Sequence, residues 1–368
     1  MAQEMNKIPS KPSPKRGRRF TFIAVGLLLN FGIYFSGIHN EVYTDENVTI
    51  TNGKMDSDYP SYNEEVALEH IYYSKVAFCT EHAIKSWSCG DMCENAPILG
   101  KDKIIYIPEG ERFKVQGYVA QIPSQGGNWG KDSISGDRSG IRHDSSIDDT
   151  KCVISFRGSL NVANWHADFL AMLRPWPLGE MSNATWCRGC KAHHGFAQAY
   201  DELRDDVLHS VGILNCTQLV LTGHSLGAAV ATIASFDLRS ANGYMVEATW
   251  TFGKPRIGNA EFVNSFDIAA ANQGVLPPIW RVVHYHDPVP RAPPHFPGGV
   301  THGALEVYYT DRASSEYIVC PQHGAVENQS NACMGGWPLY FPVNMDHVTY
   351  LNQSFAFKNF PDECKAIE

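Results

Sequence analysis

Short runs of apolar, often β-branched residues alternate along the chain with longer segments whose apolar residues have helical spacing. The helical pattern EEVALEHIYYSKVAFC should end near Cys79, and FKVQGYVAQ alternates as a strand. Beyond residue 151, the strand patterns CVISF, QLVLTG, EATWTFG and IWRVVHYH alternate with the helical patterns NVANWHADFLAML, HHGFAQAYDELRDDVLHSV and LGAAVATIASFDLRS. Strands that alternate with helices are typical of a mostly parallel sheet covered on both faces. The pattern predicts one α/β domain over residues 63–368.

The chain begins with a basic segment and continues into an apolar one. Residues 1–19 carry six Lys or Arg, and residues 20–38 read FTFIAVGLLLNFGIYFSGI. As a helix, this apolar stretch would span about 28 Å, close to a bilayer core. Bulky residues surround the small residues Ser36 and Gly37, which favours an uncleaved signal anchor with a cytoplasmic basic end over a cleaved signal peptide. Either interpretation sends the later residues into the secretory pathway, as a single-pass membrane protein or a secreted one.

Two polar stretches interrupt this organisation. Residues 39–62 are predicted to be a stalk, and residues 124–150, rich in Gly, Ser and Asp, a long mobile loop.

The composition indicates the cellular compartment and disfavours one class of partner. The net charge is -9, and residues 1–19 hold six basic residues and one acidic residue, so the remainder carries about -14. An acidic body disfavours nucleic acid as a partner. The ten cysteines suit an oxidising compartment. Five N-x-[ST] sequons, which suit the same route, lie at Asn47, Asn183, Asn215, Asn328 and Asn352.

One cluster of potential metal ligands stands out. Cys187, Cys190, His193 and His194 form C-x-x-C-x-x-H-H, which is too local for the usual paired zinc spacing. An oxidising lumen favours a disulfide at this position. No metal and no cofactor is expected.

The stretch LTGHSLGAA at 221–229 contains the motif G-x-S-x-G around Ser225. It follows the strand pattern QLVLTG and precedes an alanine-rich helical segment, so it sits at a strand-to-helix turn, as a nucleophile elbow requires. Glycines two positions from the serine leave room for the strained backbone of such a turn. The positive end of the following helix would favour an oxyanion.

A serine nucleophile needs a histidine as base and an acid that orients the histidine. Asp287 follows the strand pattern IWRVVHYH, which places its carboxylate at the carboxyl end of a strand; a turn-capping aspartate is the alternative. The histidines after Asp287 are His295, His302, His323 and His347. The chain order Ser, Asp, His favours a late base, His347, whereas His302 resembles a residue that opens a strand.

Several stretches in the same order resemble the fungal-type, or class 3, triacylglycerol lipase family of α/β-hydrolases. They are VISFRGS at 153–159, NW at 164–165, C-x-x-C with HHGF at 187–196, LTGHSLGAA, FGKPRIGN at 252–259, HDPVPRAPP at 286–294, THGALEVYY at 301–309 and DHVTY at 346–350. The resemblance covers about residues 63–364.

The resemblance implies a Ser225–His347–Asp287 triad. It further implies an oxyanion hole formed by the N–H of Leu226 and by the N–H and hydroxyl of Ser159. A helical lid over residues 161–173, with Trp165 and Phe169 on its apolar face, would cover the site in water and open at a lipid–water interface. An apolar lid favours lipid esters over polar feruloyl esters.

The resemblance also implies three disulfides: Cys79–Cys364, Cys89–Cys93 and Cys187–Cys190. Proximity in the sequence suggests Cys320–Cys333 as a fourth. Cys152 and Cys216 are left without a partner and are interpreted as buried free thiols.

The expected activity is hydrolysis of a lipid carboxylic ester through an acyl-enzyme. Triacylglycerol, diacylglycerol and phospholipid all remain candidate substrates, and a feruloyl-type esterase is the alternative on the same fold. An inactive lipase-fold protein that binds lipid or a partner is the non-enzymatic alternative, against which the complete set of catalytic residues argues. The sequence carries no signal for an oligomeric state.

Overall fold

The computed structural model describes residues 61–124, 150–159, 173–177, 187–265, 279–294, 299–303, 305–320, 333–334 and 345–365. All lie in the second of two compact units, Ile50–Glu368. The helices are α1 Glu64–Val76, α2 Glu81–Ser86, α3 Asp91–Glu94, α4 His194–Asp201, α5 Arg204–Ile213 and α6 Leu226–Ser240. The strands are β1 Ile104–Ile107, β2 Gly117–Gln121, β3 Lys151–Phe156, β4 Leu173–Pro175, β5 Lys191–His193, β6 Gln218–His224, β7 Met245–Phe252, β8 Ile279–His284, β9 Leu305–Tyr309, β10 Tyr317–Cys320, β11 Thr349–Tyr350 and β12 Gln353–Ser354.

Eight strands form one sheet in the order β1-β2-β3-β6-β7-β8-β9-β10. The five strands from β3 to β9 run parallel, and β1, β2 and β10 join at the edges in antiparallel orientation. The predicted mostly parallel sheet is therefore confirmed. Because parallel strands end at the same edge, the carboxyl ends of β6, β7 and β8 lie side by side.

Both faces of the sheet are buried, and neighbouring residues of one strand face opposite sides. In β6, Leu219 and Leu221 belong to the core beneath α4, α5 and α6, whereas Val220 belongs to the core beneath α1. This period of two with burial on both sides explains why the central strands read as nearly continuous apolar runs. Helix α6 packs between the sheet and α4 and is buried along almost its whole length.

Helix α1 starts at a polar cap, because the Asn63 side chain accepts a hydrogen bond from Val66 N at 3.1 Å. The segment predicted as one helix, HHGFAQAYDELRDDVLHSV, forms two, α4 and α5. On either side of the break, Tyr200 Oη donates to Asp237 Oδ2 of α6 at 2.8 Å, and Arg204 Nε donates to the same oxygen at 2.7 Å. The two helices are thus tied separately to α6.

All ten cysteines are paired in disulfides. The pairs are Cys79–Cys364, Cys89–Cys93, Cys152–Cys216, Cys187–Cys190 and Cys320–Cys333. The interpretation of Cys152 and Cys216 as free thiols is wrong. Cys152 lies beside Leu219 in the parallel register of β3 and β6, which brings Cys216, just before β6, to a Cα–Cα distance of 5.7 Å.

Several expectations fall outside the described residues. They concern the basic and apolar segments 1–19 and 20–38, nearly all of the stalk, the interior of the 124–150 loop, the lid residues Trp165 and Phe169, His295, His323 and the sequons at Asn47, Asn183 and Asn328. The last lid residue, Leu173, begins β4. Within the described ranges, no helix has the length and apolar character needed to cross a bilayer.

Candidate active site

Ser225 occupies a sharp turn between β6 and α6. Its backbone has φ 58° and ψ -123°, its N–H donates to Phe252 O at 2.9 Å, and its side chain is buried. A Cβ on Gly223 would lie 2.4 Å from the Gly227 carbonyl group, and a Cβ on Gly227 would lie 2.1 Å from Phe156 O. Both glycines of the motif are therefore required by close backbone contacts.

His347 links Ser225 to Asp287. Its Nε2 lies 2.9 Å from Ser225 Oγ, and its Nδ1 lies 2.9 and 3.0 Å from the two oxygens of Asp287. A proton on Nδ1 donates to the carboxylate and leaves Nε2 free to accept from the serine hydroxyl. The three side chains, separated by up to 122 residues in the sequence, thus form the hydrogen-bonded order of a catalytic triad.

The Asp287 carboxylate has further donors. The Val289 N–H donates to Oδ1 at 2.8 Å, and Tyr350 Oη donates to Oδ2. Burial alone would raise the pKa of the Asp287 carboxyl, but His347, Tyr350 and the Val289 N–H together lower the pKa below its usual value. Asp287 therefore stays ionised, and it also caps the turn after β8 through the Val289 N–H.

Tyr350 was not singled out from the sequence, although it lies three residues after the base in DHVTY. Strand β11 places its hydroxyl on the acid, and its ring is fully buried. The three-residue spacing between His347 and Tyr350 indicates a contact with the acid only when the position of Asp287 is known, and that position comes from the fold.

The loop after β3 lies against the elbow. A Cβ on Gly158 would lie 2.6 Å from His224 O and 3.3 Å from the Cβ of Ser225, so only a glycine fits there. Ser159 follows directly and is partly buried. The Leu226 N–H is in the first turn of α6, where helical N–H groups have no acceptor within the helix. Such N–H groups beside a nucleophile can stabilise negative charge on a carbonyl oxygen.

His224, the residue before Ser225, contacts the backbone of His347. Its Nε2 donates to His347 O at 2.8 Å, and its ring stacks on Phe355 with centroids 4.1 Å apart. Burial and the neighbouring His347 lower the pKa of His224 to about 3, so the ring is neutral at ordinary pH.

His302 lies outside the triad. Its Nε2 donates to Pro290 O at 2.6 Å, and its Nδ1 accepts from Lys254 Nζ at 3.3 Å. Burial, together with Arg281, Lys254 and Arg256, lowers the pKa of His302 well below its ordinary value. It lies three residues before the first residue of β9, close to the strand start that the sequence suggested.

Cys187 and Cys190 are joined in a disulfide, which removes the thiolates that a zinc site would require. The sulfurs of Cys79, Cys89 and Cys364 lie within 4.8 Å of one another, but each belongs to a disulfide.

A nucleophile elbow at the carboxyl edge of a mostly parallel sheet, followed by an acid and then a base, defines the α/β-hydrolase fold. Residues 153–296 match the family described as lipase (class 3).

Curated relatives include secreted mono- and diacylglycerol lipase 1 of Fusarium solani, 31% identical over 236 residues, which are 61% of this chain and 63% of the relative. Secreted mono- and diacylglycerol lipase A of Penicillium cyclopium is 34% identical over 188 residues, or 50% of this chain and 53% of the relative. The chain thus spans less than two thirds of the length of either relative. Among solved structures, Rhizomucor miehei triacylglyceride lipase shares the fold, with a TM-score of 0.57 and 23% sequence identity. The superposition covers 80% of this chain and 97% of the lipase chain.

The different environments of His302 and His347 predict different effects of the same substitution. His347→Gln should lower turnover by several orders of magnitude, because the base is lost. His302→Gln should leave turnover of the folded protein nearly unchanged.

His302 is neutral in the folded protein, whereas in the unfolded chain its imidazole takes up a proton below about pH 6.5. Because only the unfolded chain binds this proton, the free energy of unfolding falls as the pH drops below that value. His302→Gln should therefore flatten the decline of unfolding free energy below pH 6.5 by about 1.4 kcal/mol per pH unit. Urea unfolding at several pH values measures this slope.

If His302→Gln loses turnover while His347→Gln keeps it, the assignment of the base is wrong.

Proposed function

We propose that the chain hydrolyses carboxylic esters of lipids through a serine acyl-enzyme. The observation that carries this proposal is the continuous hydrogen-bonded series from Ser225 Oγ through His347 to the Asp287 carboxylate. The names of the relatives, which act on mono- and diacylglycerols, support a glycerolipid ester as substrate.

In the first half of the reaction, Ser225 Oγ attacks the ester carbonyl and His347 Nε2 takes the hydroxyl proton. The carbonyl oxygen gains the negative charge and is bound by the N–H groups of Leu226 and Ser159 and by the Ser159 hydroxyl. When the tetrahedral intermediate collapses, the ester C–O bond breaks and His347 gives its proton to the leaving alcohol. The acyl group stays on Ser225.

In the second half, water takes the place of the alcohol. His347 removes a proton from the water as its oxygen attacks the acyl carbonyl, and then returns a proton to Ser225 Oγ as the fatty acid leaves. The Asp287 carboxylate remains ionised throughout and stabilises the imidazolium that forms twice in each cycle. No cofactor takes part in these steps.

The nucleophile is tested by substitution and labelling. Ser225→Ala should abolish ester hydrolysis and labelling by a fluorophosphonate, because the attacking oxygen is removed. Ser210→Ala is a matched control, because its buried hydroxyl donates to Asp206 O within α5.

Intact-mass spectrometry measures the label, and a panel of mono-, di- and triacylglycerols, phospholipids and feruloyl esters identifies the substrate class. A fluorophosphonate adduct on Ser225→Ala would contradict the assignment. A wild-type protein that neither reacts with the label nor turns over any ester would favour the non-enzymatic alternative, a lipase-fold protein that binds lipid.

We also propose that residues 161–173 form a lid whose apolar face contacts a lipid surface. Trp165→Ser combined with Phe169→Ser should weaken binding to triacylglycerol emulsions more than tenfold, since each aromatic side chain contributes about 1.5 to 3 kcal/mol on burial. Turnover of a soluble short-chain ester should survive. Leu99→Ser with Ile213→Ser is the control, because both side chains are more than half exposed on the described surface. Equal loss of both activities in the lid variant would indicate a structural helix.

The proposed compartment is the secretory pathway, with residues 20–38 as anchor or signal peptide and residues 63–368 as the hydrolase domain. Five disulfides support an oxidising environment, and the sequon residues Asn215 and Asn352 are exposed. When the chain is expressed in a eukaryotic secretory host, glycosidase treatment should lower the mass of the wild type, and Asn215→Gln should lose one glycan. Sequencing of the mature N-terminus distinguishes anchor from signal peptide. A protein without glycans would contradict this route.

A further inference from the structure

The residue before the base is itself held by an ion pair. Asp346 lies immediately before His347, and its carboxylate is buried, with 1% of the side chain exposed. Arg312, in the turn between β9 and β10, binds this carboxylate with Nε–Oδ1 at 2.9 Å and Nη2–Oδ2 at 3.4 Å. The guanidinium lies at the surface, with 70% of the side chain exposed. A surface cation thus reaches into the loop that carries the base.

A buried imidazole lies between the backbone carbonyl groups of the same two residues. His284, the last residue of β8, has Nδ1 2.9 Å from Asp346 O and Nε2 3.2 Å from Arg312 O. Both partners are acceptors, so a neutral ring donates to one of them and only contacts the other. Because His284 ends β8 three residues before Asp287, its ring brings the loop that carries His347 into contact with the strand that positions the acid.

The turn that carries Arg312 is itself well ordered by hydrogen bonds. The Asp311 carboxylate accepts from the N–H groups of Ala313, Ser315 and Glu316 at 2.7, 3.0 and 2.9 Å. Asn352 Nδ2, from the turn after β11, donates to Ala313 O at 2.9 Å. The guanidinium is therefore presented from a fixed backbone.

An ion pair with so exposed a guanidinium contributes little to the stability of a protein. The ion pair can still fix the position of the loop that carries His347, because the carboxylate in the pair is buried. Loss of this cation removes two charge-assisted hydrogen bonds from the carboxylate of the residue next to His347, and a shift of Asp346 would move the adjoining backbone of His347. A displacement of about 1 Å in a catalytic group can cost about 100-fold in rate.

We propose that Arg312 is a positioning residue, which acts through Asp346 and His284 to set the distance between His347 Nε2 and Ser225 Oγ. This inference rests on the proposed function, because it concerns the base of that reaction.

The test compares two ion pairs of the same type in the same chain. Arg204 binds Asp237 with Nε–Oδ2 at 2.7 Å and Nη2–Oδ1 at 3.4 Å, and the Asp237 side chain is also 1% exposed. This control pair joins α5 to α6 and contacts no member of the triad. Arg312→Ala, Arg312→Lys and Arg204→Ala are measured for kcat and KM on a soluble short-chain ester, for the rate constant of fluorophosphonate labelling and for Tm.

Arg312→Ala should lower both kcat and the labelling rate constant by about 10-fold to 100-fold with KM within about twofold of the wild type. Arg312→Lys should restore part of the loss, since an ammonium group can still reach the carboxylate. Arg204→Ala should lower Tm and leave kcat unchanged. Arg312→Ala combined with Asp346→Asn should be no slower than the slower of the two single variants, as expected for residues that act as one unit.

The inference is overturned if Arg312→Ala keeps the wild-type kcat and only lowers Tm, as in the control pair. It is also overturned if KM rises while kcat stays constant. The wild type is measured first: a wild type without labelling or hydrolysis overturns the proposed function and this inference together, whereas an active wild type with unaffected Arg312 variants overturns this inference alone.

Discussion

The site depends on the close approach of three glycine-containing backbone segments at the carboxyl edge of the sheet. Gly223 and Gly227 let the chain turn within van der Waals distance of itself on either side of Ser225, and Gly158 lets the loop after β3 touch the turn. A fourth glycine, Gly253, has φ +62°, and a Cβ there would lie 2.9 Å from both Asp287 Oδ2 and Tyr350 Oη and 3.0 Å from His347 Cε1. Backbone without side chains therefore provides the space in which serine, acid and base meet.

Histidine side chains at different positions in this protein have different properties, and the surroundings of each ring determine them. His70, stacked on Trp250, and His193, stacked on Phe196, have their pKa lowered to about 3 and about 4, mainly by burial. They pack as neutral aromatic rings. His347 is just as deeply buried, but it has an ionised carboxylate on one nitrogen and a hydroxyl on the other. Burial alone disfavours the protonated form of a histidine, whereas a paired carboxylate stabilises that form.

Local patterns were sufficient to predict the elements that depend on local sequence. The central strands, α6 and the turn around Ser225 follow from apolar runs, alanine-rich helical spacing and two glycines. Asp287 and His347 required the chain order of a known family, because several histidines fit the local pattern equally well. The disulfide between Cys152 and Cys216, and the contacts of Tyr350, His284 and Arg312, depend on the register of strands that are distant in sequence, which one sequence alone does not specify.

The Cys79–Cys364 disulfide joins residues 285 positions apart, so Ser225, Asp287 and His347 all lie inside a single covalent ring. Cleavage of one peptide bond anywhere between these two cysteines would open the ring but leave both fragments attached to each other. For this protein, one cut in a surface loop would alter the connectivity of the chain while the three triad residues stayed on one covalently linked molecule.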